Sequence, residues 1–288
     1  MSEVGRTLTD SNRLAYSGRA DAPAVTSARA RRWGWWFYAE HFLRSSKAYA
    51  WSILGYSVGQ PLLYFLSLGL GLGSLVDQGV GTVDGVPYLT FVGPAILVST
   101  VVMGASGEMT YPVMGGFKWQ RLYYAPISAP VSPAQVATGH FVAVMIRFVL
   151  QATVIWLMLL AFGATTSPWS WLTIPVGVLA AGAFGAPLQA YAATLLDEGA
   201  QFAFVQRFIV MPMFLFAGTF FPLSAMPAWL QWIGWVSPIW HGTQLARLVS
   251  YGAAVPGWLA AVHVAYLGGL LALGVVLSRR RYERRLIA

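Results

Sequence analysis

The 288-residue chain is expected to fold as an all-α polytopic membrane protein with six transmembrane helices, an N-terminal interfacial helix and outer re-entrant helices between spans five and six. Three observations lead there. Apolar residues make up 57% of the chain and charged residues 10%, with a mean hydropathy of +0.60; a water-soluble domain of that balance could not cover its own surface. Six apolar stretches each come close to or exceed the about 20 residues that cross a ~30 Å hydrocarbon core as a helix. Lipid offers no partner to backbone N–H and C=O groups, so such stretches must be helical. Third, nearly all the basic residues fall on one side of the resulting bundle.

Residues 1–32 are polar, rich in Ala, Ser and Arg, without an apolar signal core, and read as a disordered cytoplasmic tail. The transmembrane domain then occupies residues 33–288. Over residues 33–49, Trp35, Tyr38, Phe42 and Tyr49 share one helical face, opposite Glu40, Arg44 and Lys47. Such a helix lies in the inner membrane interface; a plain extension of the first span is the alternative. The spans are expected at about 51–76, 88–112, 138–162, 171–196, 204–223 and 257–278. Asp77 to Val86 and Gly163 to Trp169 are short connections rich in Gly, Thr, Ser or Asp.

Sixteen of the 18 Lys and Arg residues lie before the first span, in the second-to-third loop, in the fourth-to-fifth connection or in the C-terminal tail. Basic residues accumulate in cytoplasmic segments, so both termini are expected in the cytoplasm. The other side holds only Arg247, and Arg147 lies within a span. The net charge of +8 therefore reflects membrane orientation and not a nucleic-acid surface. The run Arg279 to Arg281, with Arg284 and Arg285, also suits anionic lipid headgroups.

Catalytic chemistry is not expected. There is no Gly-rich Lys-Ser/Thr phosphate loop for ATP, no cysteine, and no metal-ligand spacing among His41, His140, His241 and His263. Asp197-Glu198 is the only adjacent acidic pair, and it sits at a helix end. Two ionisable residues lie inside spans: Glu108, about one turn from the cytoplasmic end of the second, and Arg147, about two and a half turns into the third, with Gln151 one turn deeper. A charge at that depth needs a partner or a wet cavity. Glu108 and Arg147 form a structural pair, or Arg147 reaches inward to the headgroups, or both line a path for cargo.

Two segments carry more information. The inner loop PVMGGFKWQRLYYAPISAPVSPAQVATG, Pro112 to Gly139, is long for a connection and broken by Pro126, Pro130 and Pro133. Phe117, Trp119, Leu122 and Tyr123 surround Lys118 and Arg121, an amphipathic element that rests on the membrane or docks on a soluble partner. The outer segment FLFAGTFFPLSAMPAWLQWIGWVSPIWHGTQLAR, Phe214 to Arg247, is punctuated by prolines. Pro222 is expected to end the fifth span and Pro227 to start a helix on which Trp229, Trp232, Ile233 and Val236 share a face. Pro238 breaks it again before His241. Broken backbone at membrane depth needs protein or water around it, which suggests re-entrant helices.

With Gly218 to Ser224, Pro227 to Leu230, Pro238 and His241 outside, and Trp119, Arg121, Pro130 and Ala134 inside, the chain resembles the permease subunit of a type-2 ABC exporter over about residues 33–285. The nodulation lipo-oligosaccharide and daunorubicin-type drug exporters are the suggested branch. The resemblance implies a half-transporter that exports an amphiphile: a lipo-oligosaccharide, polysaccharide, lipid or drug. It implies a second copy or paralogue, and separate ATPase subunits that use ATP, so that this chain binds no cofactor itself. It also implies a coupling role for the loop with Phe117, Trp119, Arg121 and Tyr123. Two rivals remain: an ion-driven secondary transporter using Glu108, and a membrane-embedded transferase, which would want clustered carboxylates or histidines that the sequence lacks.

Overall fold

A computed structural model describes residues 23–79, 81–197 and 199–287. The elements are α1 (Pro23–Ser45), α2 (Ala50–Tyr64), α3 (Gly73–Gly79), α4 (Tyr88–Glu108), α5 (Tyr111–Phe117), α6 (Tyr124–Ile127), α7 (Pro133–Ala161), α8 (Thr173–Ala192), α9 (Gln201–Val205), α10 (Met211–Phe216), α11 (Ala228–Val236), α12 (Pro238–Tyr251) and α13 (Gly257–Ile287). π-helical stretches, Phe65–Leu72 and Gln206–Val210, join α2 to α3 and α9 to α10. Among the described residues the only β feature is a bridge between Val83 and Val86. Among the described residues, five helical stretches are long and apolar enough to cross a membrane: Ser57–Gly79, Tyr88–Phe117, Pro133–Ala161, Ser170–Ala192 and Gly257–Ile287. The remaining expected crossing is the shorter apolar helix Gln201–Phe216.

Several boundaries move, each for a local reason. Residues 1–22 of the expected tail lie outside the described residues, but helix already begins at Pro23. α7 starts at Pro133, earlier than 138. The Ser132 side chain accepts from the Gln135 N–H, the Gln135 side chain accepts from the Ser132 N–H, and Pro133 occupies the first turn. The second span breaks after Glu108, where the Thr110 hydroxyl donates back to the carbonyls of Ser106 (2.9 Å) and Gly107 (3.1 Å). The fifth span ends at Phe216, short of Pro222: Ala217 caps it and Gly218 turns the chain away at φ 76°. α13 runs past 278 to Ile287 as an unbroken helix.

α4 stands at the centre, packed by α8, α12, α7 and the π stretch beside α3. α8 packs most extensively on α13, and there Gly274 lies directly on the Pro187 backbone. Small residues that let backbones approach are the expected means of packing where lipid supplies no hydrophobic drive. α1 lies along α7, but not as expected. Tyr38 and Ala39 are buried, with Trp35 and Phe42 half-buried, because the backbone of α1 passes over Gly139, where a Cβ would come within 2.4 Å of the Trp35 carbonyl oxygen. Tyr49 is exposed and off that face, and the aromatic edge left free is Trp33, Trp36 and Phe37.

Candidate functional site

The arginine-rich end of the bundle carries the loop from α5 to α7. Phe117 and Tyr123 are only 2% and 1% exposed. They pack on each other and on Tyr282 of α13, with ring centroids 4.7 to 5.1 Å apart, and the Arg285 guanidinium lies 4.1 Å from the centre of the Phe117 ring. The Tyr123 hydroxyl sits 3.1 Å from His140 Nδ1 of α7, and its ring is 6.1 Å from that of Tyr38 of α1. Burial holds the Tyr123 phenol well above its ordinary range, so it remains a neutral hydrogen-bonding group. Gln189 of α8 donates to the Ala137 carbonyl (3.1 Å) and the Tyr282 hydroxyl (3.3 Å). Arg121 takes a left-handed backbone, φ 52°, which lets the loop double back onto this cluster.

The four residues expected on a docking face are therefore divided. Phe117 and Tyr123 face inward and cannot enter a partner's groove in this structure. Trp119, 48% exposed, and Arg121 remain on the surface with Leu122 and Tyr124, and Trp119 stacks on Tyr111 at 6.5 Å. Lys118 donates to Asp197 across 3.1 Å.

Just inside this loop, Arg147 of α7 meets Glu108 of α4 in a two-pronged pair, Nη1 to Oε2 at 3.0 Å and Nη2 to Oε1 at 2.9 Å. Both side chains are mostly covered. Gln151 is buried near Gly104, one turn away. Arg147→Ala should lower stability by about 2 kcal/mol, since it strands a covered carboxylate, whereas Arg147→Ala with Glu108→Ala should lower it less. Melting in detergent tests this; equal losses would mean the pair contributes nothing.

At the opposite end, the irregular stretch after α10 is held by side chains. Arg247 of α12 is 2% exposed and has its guanidinium carbon 3.6 Å from the centre of the Phe91 ring. Its Nε donates to the Phe91 carbonyl (3.2 Å) and its Nη2 to those of Gly218 (2.8 Å) and Thr219 (3.4 Å). Tyr88 donates to the Phe220 carbonyl (3.1 Å), and the Ser99 and Thr219 hydroxyls meet at 3.1 Å. Three successive carbonyls outside any helix thus find donors, as buried backbone requires.

Pro222 opens the short turn Leu223–Ala225 and Pro227 precedes α11, which exposes Trp229, Trp232 and Trp235. α11 and α12 meet at a break at Ser237, whose hydroxyl accepts from the Ile239 N–H, with buried Pro238 in the first turn of α12. The free carbonyls at the break are met from inside: Tyr266 of α13 donates to Val236, and His241 Nε2 donates to Trp235 (2.9 Å). With both rings neutral, His241 Nδ1 must then accept, and His263 Nδ1 donates to it across 2.7 Å. Arg247, His263, Tyr266 and Tyr88 escape the sequence reading. Only Arg247 left a signal, as the one basic residue on the side that charge avoids.

Among the described residues no three His, Asp or Glu side chains are grouped to hold a metal. The geometry defines an all-helical, multi-pass membrane protein with a structured loop at one end and a pinned irregular segment with two short helices at the other. The ABC-2 type transporter family matches residues 35–251, and the chain belongs to that family. It is 27% identical over 268 residues to Nodulation protein J of Rhizobium meliloti (strain 1021), covering 91% of this chain and 98% of that one. Nodulation protein J of Sinorhizobium fredii is 25% identical over 260 residues, covering 90% and 96%. The probable multidrug ABC transporter permease YbhR of Escherichia coli (strain K12) is 26% identical over 168 residues, 56% of this chain and 44% of that one. No solved structure matches. The chain is thus the permease component of an ABC exporter.

Proposed function

We propose that this permease exports an amphiphile from the cytoplasm of a bacterial cell, driven by separate ATPase subunits that dock on the loop carrying Trp119 and Arg121. The observation that carries the reading is the construction of that loop. Phe117 and Tyr123 fasten it to α1, α7 and α13, so a push on its exposed residues would move three helices together. The arginine-rich end is then cytoplasmic, by the same charge bias. The pair α11 and α12 is re-entrant from the outer side, which suits the donors gathered at its break. A second copy or paralogue covers α2 and α3, whose outward faces leave Leu63 and Leu75 uncovered. A relative named as a probable multidrug permease favours a drug-like or amphiphilic cargo over a small ion. The ion-driven alternative loses ground because Glu108, its ion site, is already held by Arg147.

Interfaces of this kind concentrate their energy in a few aromatic and Arg anchors. Trp119→Ala and Arg121→Glu, both on the surface, should each reduce cargo-stimulated ATP hydrolysis by the assembled complex about tenfold or more while the permease still inserts. Cargo export that persists after the ATPase is deleted would overturn the reading in favour of ion coupling.

A further inference from the structure

We propose that the groove between α8, the α9–α10 helix and α13 binds one anionic phospholipid, with an acyl chain in the groove and the phosphate on Arg281 and Arg284. The leaflet concerned, the cytoplasmic one, rests on the orientation proposed above. The groove encloses about 550 Å³ between Ala183 and Tyr191 of α8 and Phe204 and Met213 of the α9–α10 helix, and its walls are almost wholly apolar. α8 and α13 are both candidate crossings, so the groove opens sideways into hydrocarbon. Left empty, it would forfeit the dispersion contacts of its walls, and an acyl chain is the occupant that a bilayer supplies.

The ends of the groove specify which lipid. At one end the break between α11 and α12 closes it, with Val236 and Pro238 in its wall beside Tyr266. At the other, helical spacing of three and four residues carries the Tyr266 and Leu270 face of α13 through Leu277 to Arg281 and Arg284, all three exposed. Arg281 lies roughly 16 Å along the helix from Leu270, close to half of a ~30 Å hydrocarbon core. Both elements end on the same side, since Arg285 Nη1 donates to the Ala193 carbonyl (3.0 Å) just past the end of α8. Glu283, the one carboxylate in this stretch of α13, lies about 100° around the helix from Arg284. An apolar slot that runs into an arginine foot on one face fits a lipid with a negative headgroup better than a zwitterionic one.

The test uses the full chain in phosphatidylcholine nanodiscs containing trace phosphatidylglycerol or phosphatidylcholine, each with the same diazirine-bearing acyl chain. Labelled peptides are mapped after irradiation. The phosphatidylglycerol probe should label the groove segments of α8 and α10 about tenfold more than the phosphatidylcholine probe. Both probes should label the exposed Leu150 region of α7 equally. Arg281→Glu with Arg284→Glu should remove the preference, and Leu270→Trp, which fills the slot, should remove the labelling. The milder Arg281→Gln with Arg284→Gln serves if charge reversal disturbs monodispersity. Equal labelling by both probes, untouched by the charge changes, would mean passing lipid only and overturn the site. No labelling by either probe would overturn it too, with a second protein copy as the cover. The readout needs neither ATPase nor cargo, so it stands apart from the exporter assignment.

Discussion

Arg247→Ala is expected to lower stability by about 2–5 kcal/mol and to free the segment from Gly218 to Phe220, one of the two largest effects available in this chain. The side chain answers the carbonyls of Gly218 and Thr219, which lie in an irregular stretch, and packs its guanidinium on Phe91. Leaving a buried acceptor unpaired costs about 1–3 kcal/mol for each group. Arg247→Met separates the contributions, because it keeps the packing on Phe91 and loses only the donors. Arg247→Lys should fall between, since one ammonium cannot reproduce the planar fork. Melting in detergent reads the stability. A cysteine placed at Phe221 of this cysteine-free chain reads the local opening, through faster thiol labelling in the Arg247→Ala background. Unchanged melting and unchanged labelling together would show that Arg247 holds nothing in place.

Gly274→Leu should prevent α13 from seating on α8. A Cβ at Gly274 would lie 2.4 Å from Pro187 N and Cδ and 2.7 Å from the Ala186 carbonyl carbon. Those are backbone and ring atoms of a packed helix, which cannot rotate aside as a side chain would. Overpacking ordinarily costs about 1–3 kcal/mol where neighbours yield, and here they do not, so the folded fraction itself should collapse. Gly268→Leu is the control, since nothing lies within 4 Å of its Cβ. Size-exclusion profiles and melting compare the two. A Gly274→Leu protein that runs and melts like its parent would contradict the packing of α8 on α13.

The crossings are legible in the sequence because a long apolar run has one solution in lipid. Their ends are legible only where the chemistry is local. Ser132, Pro133 and Gln135 spell out the start of α7 once read together, yet three prolines in one loop also read as breakers. Pro222 is the louder punctuation after the fifth span, but Gly218 ends it, since a left-handed turn there lets the carbonyls of Gly218 and Thr219 reach Arg247. That partner arrives from another helix, and no spacing rule reports it. The same holds in the loop at the arginine-rich end. Phe117, Trp119 and Tyr123 look alike as aromatics on an amphipathic stretch, and Tyr282 and Arg285, near the end of the chain, decide which of them turn inward. The aromatic periodicity of α1 is real, but it marks the face laid on Gly139 and not the one turned to lipid.

α4 gives the molecule a strut. Sixteen of its 21 residues are buried, and the helix holds the two ends roughly 30 Å apart. At one end Glu108 grips α7 and the chain continues into α5; at the other, Tyr88 and the Phe91 carbonyl join the latch around Gly218. Under the docking proposed above, a rod gripped at both ends would join the loop to the latch without a chain of intermediate rearrangements, and the latch's few hydrogen bonds are what would resist a push passed along it.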